Sequence, residues 1–135
     1  FPISTSKFGE GSVENSYKTP LGLHQIKEKI GSEVPENTIF ISRVNTSRFA
    51  NIIELPIDSE EDLVTSRILW LDGLETGANK GPGIDSFQRY IYIHGTQEEG
   101  LIGQKASHGC IRMFNSDVVY LYEIVEKGTK VHIKA

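Results

Sequence analysis

The chain has a single cysteine, a single methionine and a single tryptophan. One cysteine excludes an internal disulfide, and a lone free thiol draws attention to reactivity rather than scaffolding. Long apolar runs are also missing: stretches such as ILWL at 68–71 are far too short to cross a bilayer. There is no excess of positive charge. Lys and Arg total 14 against 18 Asp and Glu, a net charge of -4, so nothing argues for a nucleic-acid partner or a basic membrane-binding face. Repeats, low-complexity tracts and linkers are absent too. The glycine-rich GANKGPG at 77–83 lacks the GK[ST] ending of a phosphate loop and reads as a plain loop.

What is present is ordinary globular material. Of 135 residues, 38% are hydrophobic and 24% charged, which suits one domain around one core, taken here as 1–135. The sequence opens on Phe1 rather than Met, so a leader, a pro-segment or an earlier part of the domain is expected upstream.

Strands dominate the pattern. TIFISRV (38–44), ILWL (68–71), RYIYIH (89–94) and TKVHIK (129–134) are rich in β-branched or aromatic residues, or alternate apolar with polar. In RYIYIH, Ile91 and Ile93 share one face while Tyr90, Tyr92 and His94 share the other. One helix is expected over 115–128, with Asn115 or Ser116 as N-cap, Asp117 in the first turn and Gly128 as terminator. Val118, Leu121, Tyr122 and Val125 give it an apolar stripe. Residues 23–30 are ambiguous, with helical spacing at Leu23, Ile26 and Ile30 slightly favouring helix. The class is mainly β, with two packed sheets and a helix at one end.

The chemistry concentrates at ASHGCIRM, 106–113. Cys110 follows His108 and Gly109, and His94 ends a strand sixteen residues earlier, enough chain to return to the same end of a sheet. A cysteine nucleophile needs an imidazole or a positive field to gain thiolate character. The imidazole in turn needs a group to fix its tautomer, a task a backbone carbonyl can perform. Glycine before the nucleophile lets backbone N–H groups approach a developing oxyanion. Arg112 adds a cation suited to substrate carboxylates. The competing readings are an inert buried thiol and a zinc site, the latter without the usual CxxC or HxxxH pairs. His24 and His132 read as background, Trp70 as core, and Asp85, Glu98 and Glu99 as solvated loop charges.

HGT at 94–96 followed by SHGCIR at 107–112 resembles the L,D-transpeptidase catalytic domain, the YkuD-like family of bacterial cell-wall enzymes. KTPLGLHQI at 18–26 is similar to that family's TPxGxFxI segment, and RILWLDGLE and RYIYIHGT resemble the branch in which arginine follows the apolar residue after the cysteine. The resemblance covers essentially the whole chain. It implies a β-sandwich of mixed sheets with one helix in the C-terminal half, and it makes 23–30 a strand. It also implies Cys110 as nucleophile and His94 as proton acceptor and donor, with the Gly95 carbonyl orienting the imidazole. His108, Gly109 and Cys110 would frame the oxyanion pocket, with Ser107 supporting the turn. Arg112 stands where many members have Asn and is assigned to substrate binding or site support, with Tyr92 beside it as a substrate contact.

The implied reaction attacks the bond before a terminal D-alanine of a peptidoglycan stem and joins the third residues of two stems. Carboxypeptidase action with water, or an inactive peptidoglycan-binding domain, are the alternatives. No metal or organic cofactor is implied. The partners are donor and acceptor stem peptides, which lie outside the cytoplasmic membrane, so an exported, periplasmic or envelope protein is expected, its signal lying outside this chain. Members usually have one or two strands before the segment FPISTSKFGEG, so this chain is expected to lack them and to leave a sheet edge unpaired.

Overall fold

The computed structural model describes residues 1–135. Its strands are β1 (Ile3–Ser4), β2 (Gly22–Ile30), β3 (Thr38–Ile41), β4 (Val44–Phe49), β5 (Val64–Gly73), β6 (Tyr92–Gly95), β7 (Ile111–Met113) and β8 (Lys130–Ile133). A 3-10 turn spans Glu99–Leu101, and the helix α1 covers Asn115–Ile124. The hydrogen-bonded order is β1-β7-β6-β5-β2-β8, with the β3–β4 hairpin joined to β5. Every pairing is antiparallel except β6 with β7, so the mainly-β class with a mixed, curled sheet and one helix is what the chain adopts.

β5 is the hub. Its inward residues Leu69 and Leu71 are fully buried and meet Ile26, Ile93, Ile111, Met113 and Ile133, with Val118 and Tyr122 of α1 laid across them. Tertiary pairing decides the ambiguous 23–30: β2 is hydrogen-bonded on both edges, to β5 and to β8, and a strand held from both sides overrides weak helical spacing.

Three local expectations change. The run 38–44 is not one strand; it folds back at Ser42 (φ 47°) and Arg43 (φ 66°), a two-residue loop of the kind that matches strand twist. Neither residue is Gly or Asn, so the usual turn signal is missing. Strand β6 begins only at Tyr92, because Tyr90 adopts a left-handed backbone (φ 58°). The helix ends at Ile124, before Gly128, and its N-cap position is Phe114 rather than Asn115 or Ser116, with no side-chain cap of its own. Its first turn is satisfied from elsewhere: Glu99 Oε2 accepts the Asn115 N–H at 2.8 Å.

Candidate active site

Parallel pairing sets Ile93 opposite Ile111 and His94 opposite Arg112. Since side chains alternate along a strand, Ile93, Ile111 and Met113 enter the core. Tyr92, His94, Arg112 and Cys110, which stands just before β7, take the other face. Cys110 Sγ lies 3.3 Å from the Tyr92 N–H, which donates to it, and 3.3 Å from the Tyr90 carbonyl, to which the thiol donates. The left-handed turn at Tyr90 is what aims that carbonyl. The thiol is partly exposed at a pocket of about 210 Å³ lined also by Glu14, Tyr17, Arg89, Tyr90 and His108.

His94 is buried, and its Nδ1 is bonded to the Gly95 carbonyl, the contact the resemblance implied. Glycine is required at 95 for a further reason. A Cβ there would collide with Asn115 Oδ1 and stand 2.8 Å from the Thr65 carbonyl. Asn115 is itself a buried junction, accepting from Thr65 Oγ1 and Ser66 Oγ at 2.6 Å each and donating to the Thr96 carbonyl at 2.8 Å.

The SHGC turn is tied internally and from the N-terminal segment. Ser107 Oγ donates to the Cys110 carbonyl at 2.6 Å and accepts from the Gly109 N–H at 3.3 Å. Thr19 Oγ1 donates to the Gly109 carbonyl at 3.0 Å. Gly109 has φ 123°, which a side chain rarely tolerates. The His108 and Cys110 N–H groups donate to no group of the protein.

Beside this pair runs a chain of charges that sequence reasoning missed. Asp62 Oδ1 accepts from Arg112 Nη2 at 2.5 Å, while Oδ2 pairs with His108 Nδ1 at 2.8 Å. Arg112 Nη1 stands 2.9 Å from Glu98 Oε1, close enough to pair but not aligned as a hydrogen bond, and Arg112 Nε has no partner. Glu98 Oε2 accepts from Ser59 N–H and Oγ at 2.5 and 2.9 Å. Glu98 is thus no solvated loop charge; it and Arg112 are each 1% exposed. Glu99 is committed to Asn115, and Asp85 to the Gly81 and Gln88 N–H groups of its own loop. Arg112 is walled between two carboxylates and presents almost nothing to solvent. Tyr92 is enclosed likewise. It is buried against Ile68 and Phe40, edge-on to Trp70, with its hydroxyl accepting from Arg43 Nη1 at 3.0 Å. Trp70 lies outside the main core, stacked on Phe87 at 4.1 Å.

Burial pushes the Cys110 thiol up to about 12; Asp62 adds to the rise, and the Tyr92 N–H, Arg112 and Arg89 oppose it. Burial also pushes His94 below its ordinary value, with Asp62 and the Gly95 carbonyl opposing. Both shifts favour the uncharged forms of the two groups. The two histidines look to different partners, and no three His, Cys, Asp or Glu side chains converge as a metal set.

Fold and site together place the chain among mainly-β domains that carry a main-chain-tethered histidine on one strand and a cysteine at the start of its parallel neighbour. The family model described as the L,D-transpeptidase catalytic domain matches residues 1–133, and the chain belongs to that family. Among curated relatives, the Bacillus subtilis protein named as L,D-transpeptidase YkuD is 54% identical over 46 residues, 34% of this chain and 28% of the relative. B. subtilis YqjB, also named as an L,D-transpeptidase, is 49% identical over 45 residues, 33% of this chain and 26% of the relative. The matched stretches thus span about a quarter of those proteins' length. A solved L,D-transpeptidase from Mycobacterium tuberculosis H37Rv superposes with a TM-score of 0.55 at 18% identity, covering 99% of this chain and 42% of that one, a likeness of fold.

Proposed function

We propose that this chain carries out acyl transfer on peptidoglycan stem peptides, with Cys110 as nucleophile and His94 as its proton partner. The observation behind this reading is the shared face of β6 and β7, where a tethered imidazole on β6 and a pocket-facing thiol just before the parallel β7 are brought to the same side of the sheet. Because Nδ1 is taken by Gly95, Nε2 is the nitrogen left to exchange a proton.

The thiol of Cys110 attacks the carbonyl of the third stem residue while its proton passes to His94. A C–S bond forms, the C–N bond to terminal D-alanine breaks, and His94 returns the proton to the leaving amine. The unpartnered His108 and Cys110 N–H groups are the donors this reading assigns to the developing oxyanion. A side-chain amine of a diamino acid on a second stem then attacks the thioester, links the two third residues and restores the thiol; water in its place gives L,D-carboxypeptidase action. This chemistry needs no metal or organic cofactor, and its substrate implies an exported protein of the periplasm or envelope. No helix of the chain is long and apolar enough to cross a membrane.

Mass spectrometry of tetrapeptide muropeptides after incubation with the protein tests this, beside a Cys110→Ala control. Cysteine-dependent loss of D-alanine with cross-linked dimers is the expected result. Tripeptide alone would make the protein a carboxypeptidase, and unchanged substrate would leave a peptidoglycan-binding domain without catalysis.

A further inference from the structure

The pocket at Cys110 holds a cation that the mechanism above does not use. Arg89 immediately precedes Tyr90, whose carbonyl touches the thiol. Its guanidinium is half-buried and donates to two main-chain carbonyls of the loop above the pocket, Lys18 at 2.7 Å and Gly11 at 3.3 Å. It takes part in no ion pair, unlike Arg112, which has two. Glu14, the carboxylate on the same pocket wall, is exposed and beyond ion-pairing distance. Uncharged carbonyls satisfy two of the five N–H donors of a guanidinium and supply no ion-paired counter-charge. Burial disfavours that charge, and Cys110 in its thiolate form and the more distant Glu14 offset part of the cost. A partly desolvated guanidinium with no anion at ion-pairing distance, next to a nucleophile, is arranged for an anion that arrives with the substrate.

We propose that Arg89 is a specificity-determining residue that binds the free carboxylate of the donor's terminal residue. The inference rests on the acyl-transfer reading for the identity of that donor, a stem peptide ending in D-alanine. In such a donor the terminal carboxylate is separated from the scissile carbonyl only by one N–Cα unit, so a thiol and a cation sharing one small pocket can meet the two groups together. The contact exists before and during attack and is released when D-alanine departs with the proton from His94. Its effect therefore falls mainly on KM rather than on kcat.

The experiment compares a tetrapeptide muropeptide with the same compound ending in D-alaninamide. Turnover is measured on the wild-type and Arg89→Gln proteins. Affinity is measured by calorimetry in the Cys110→Ala background with and without Arg89→Gln. The wild-type protein is expected to prefer the free acid roughly ten- to hundredfold in kcat/KM and in Kd. Arg89→Gln should bring both ratios to near one by weakening the free acid alone. A residue that merely ties down the loop would instead lower acid and amide alike, and a preference that survives Arg89→Gln overturns the assignment. Arg89→Lys, which keeps the charge, covers the case in which the glutamine variant misfolds; it should retain an intermediate preference. If calorimetry shows the preference and its loss while no donor is turned over, Arg89 stands and the acyl-transfer reading falls. Cysteine-dependent turnover without discrimination between acid and amide has the reverse meaning.

Discussion

Strands β6 and β7 have two faces that could hardly differ more. On one, Ile93, Ile111 and Met113 pack against Val118 and the ring of Tyr122 with no charged side chain in the cluster. On the other, His94, Arg112 and Cys110 are just as enclosed or nearly so, but their neighbours are Asp62, Glu98 and Tyr92. The first face is stabilised by area removed from water, which asks only for shape and apolarity. The second obtains little from area and must satisfy each polar atom individually. Substitutions on the first face should therefore act on stability, and those of Cys110 and His94 on the second on turnover first.

Cys110→Ala should break this symmetry most completely. Turnover is expected to vanish, because no other side chain can carry the thioester, while circular dichroism and the melting temperature stay near those of the wild type. Ile93→Ala is the counterpart one strand away. It should cost about 2–5 kcal/mol in denaturant unfolding and leave the rate per folded molecule nearly unchanged. His94→Ala should lower acylation about 10²–10⁴-fold in single-turnover kinetics. A near-wild-type rate would transfer the proton role to His108, whose ring is exposed at the pocket and paired with Asp62.

The two faces were also unequally legible. Alternation alone separated Ile91 and Ile93 from Tyr92 and His94, and the lone cysteine beside glycine marked the nucleophile candidate. The Gly95 carbonyl came through the family resemblance. Asp62 and Glu98 carried no such mark. Both lie in irregular segments, and their roles arise only when the chain between β4 and β5 folds back on β7. A charge in a loop looks the same whether solvated or buried until its partner is known. Arg112 suffered the same limit: its position suggested a reach toward substrate, but only the fold shows two carboxylates already facing it. The turn at Ser42–Arg43 was hidden because its residues are unusual for their left-handed backbone.

Arg112→Ala tests whether the polar face also carries stability. Removing the guanidinium would strand Glu98, 1% exposed, without its counter-charge. About 3–5 kcal/mol of stability should be lost, with turnover falling partly as a consequence. Replacing Glu98 with Gln in the same background should recover part of the loss, since the stranded charge is then gone. A purely kinetic defect at full stability would return Arg112 to substrate binding.

Titration should separate the faces again, since only one of them titrates. The Cys110 thiol is raised from an ordinary 9.0 to about 12, so folding favours its protonated form. Its contribution to stability is full below pH 9 and is lost as pH rises from 9 toward 12. His94 is lowered from 6.5, so its contribution is full above that value and is lost as pH falls below it. Stability should therefore be greatest between about pH 7 and 9 and fall on both sides. In the same range, alkylation of Cys110 by iodoacetamide should keep accelerating beyond pH 9; a plateau near neutrality would indicate a preformed thiolate–imidazolium pair.

The smallest expected effect lies at Tyr92, where the faces meet. Its N–H serves the thiol, while its ring and hydroxyl are turned to Phe40, Ile68 and Arg43. Tyr92→Phe keeps the N–H and the ring and removes one hydrogen bond to a half-buried guanidinium. About 0.5–1.5 kcal/mol should be lost in denaturant unfolding, with KM for the tetrapeptide unchanged. A raised KM at unchanged stability would mean that the hydroxyl leaves Arg43 to meet the substrate, restoring Tyr92 as a binding residue. The expected result confines its part at the site to the main chain, which a sequence motif cannot distinguish from a side-chain role.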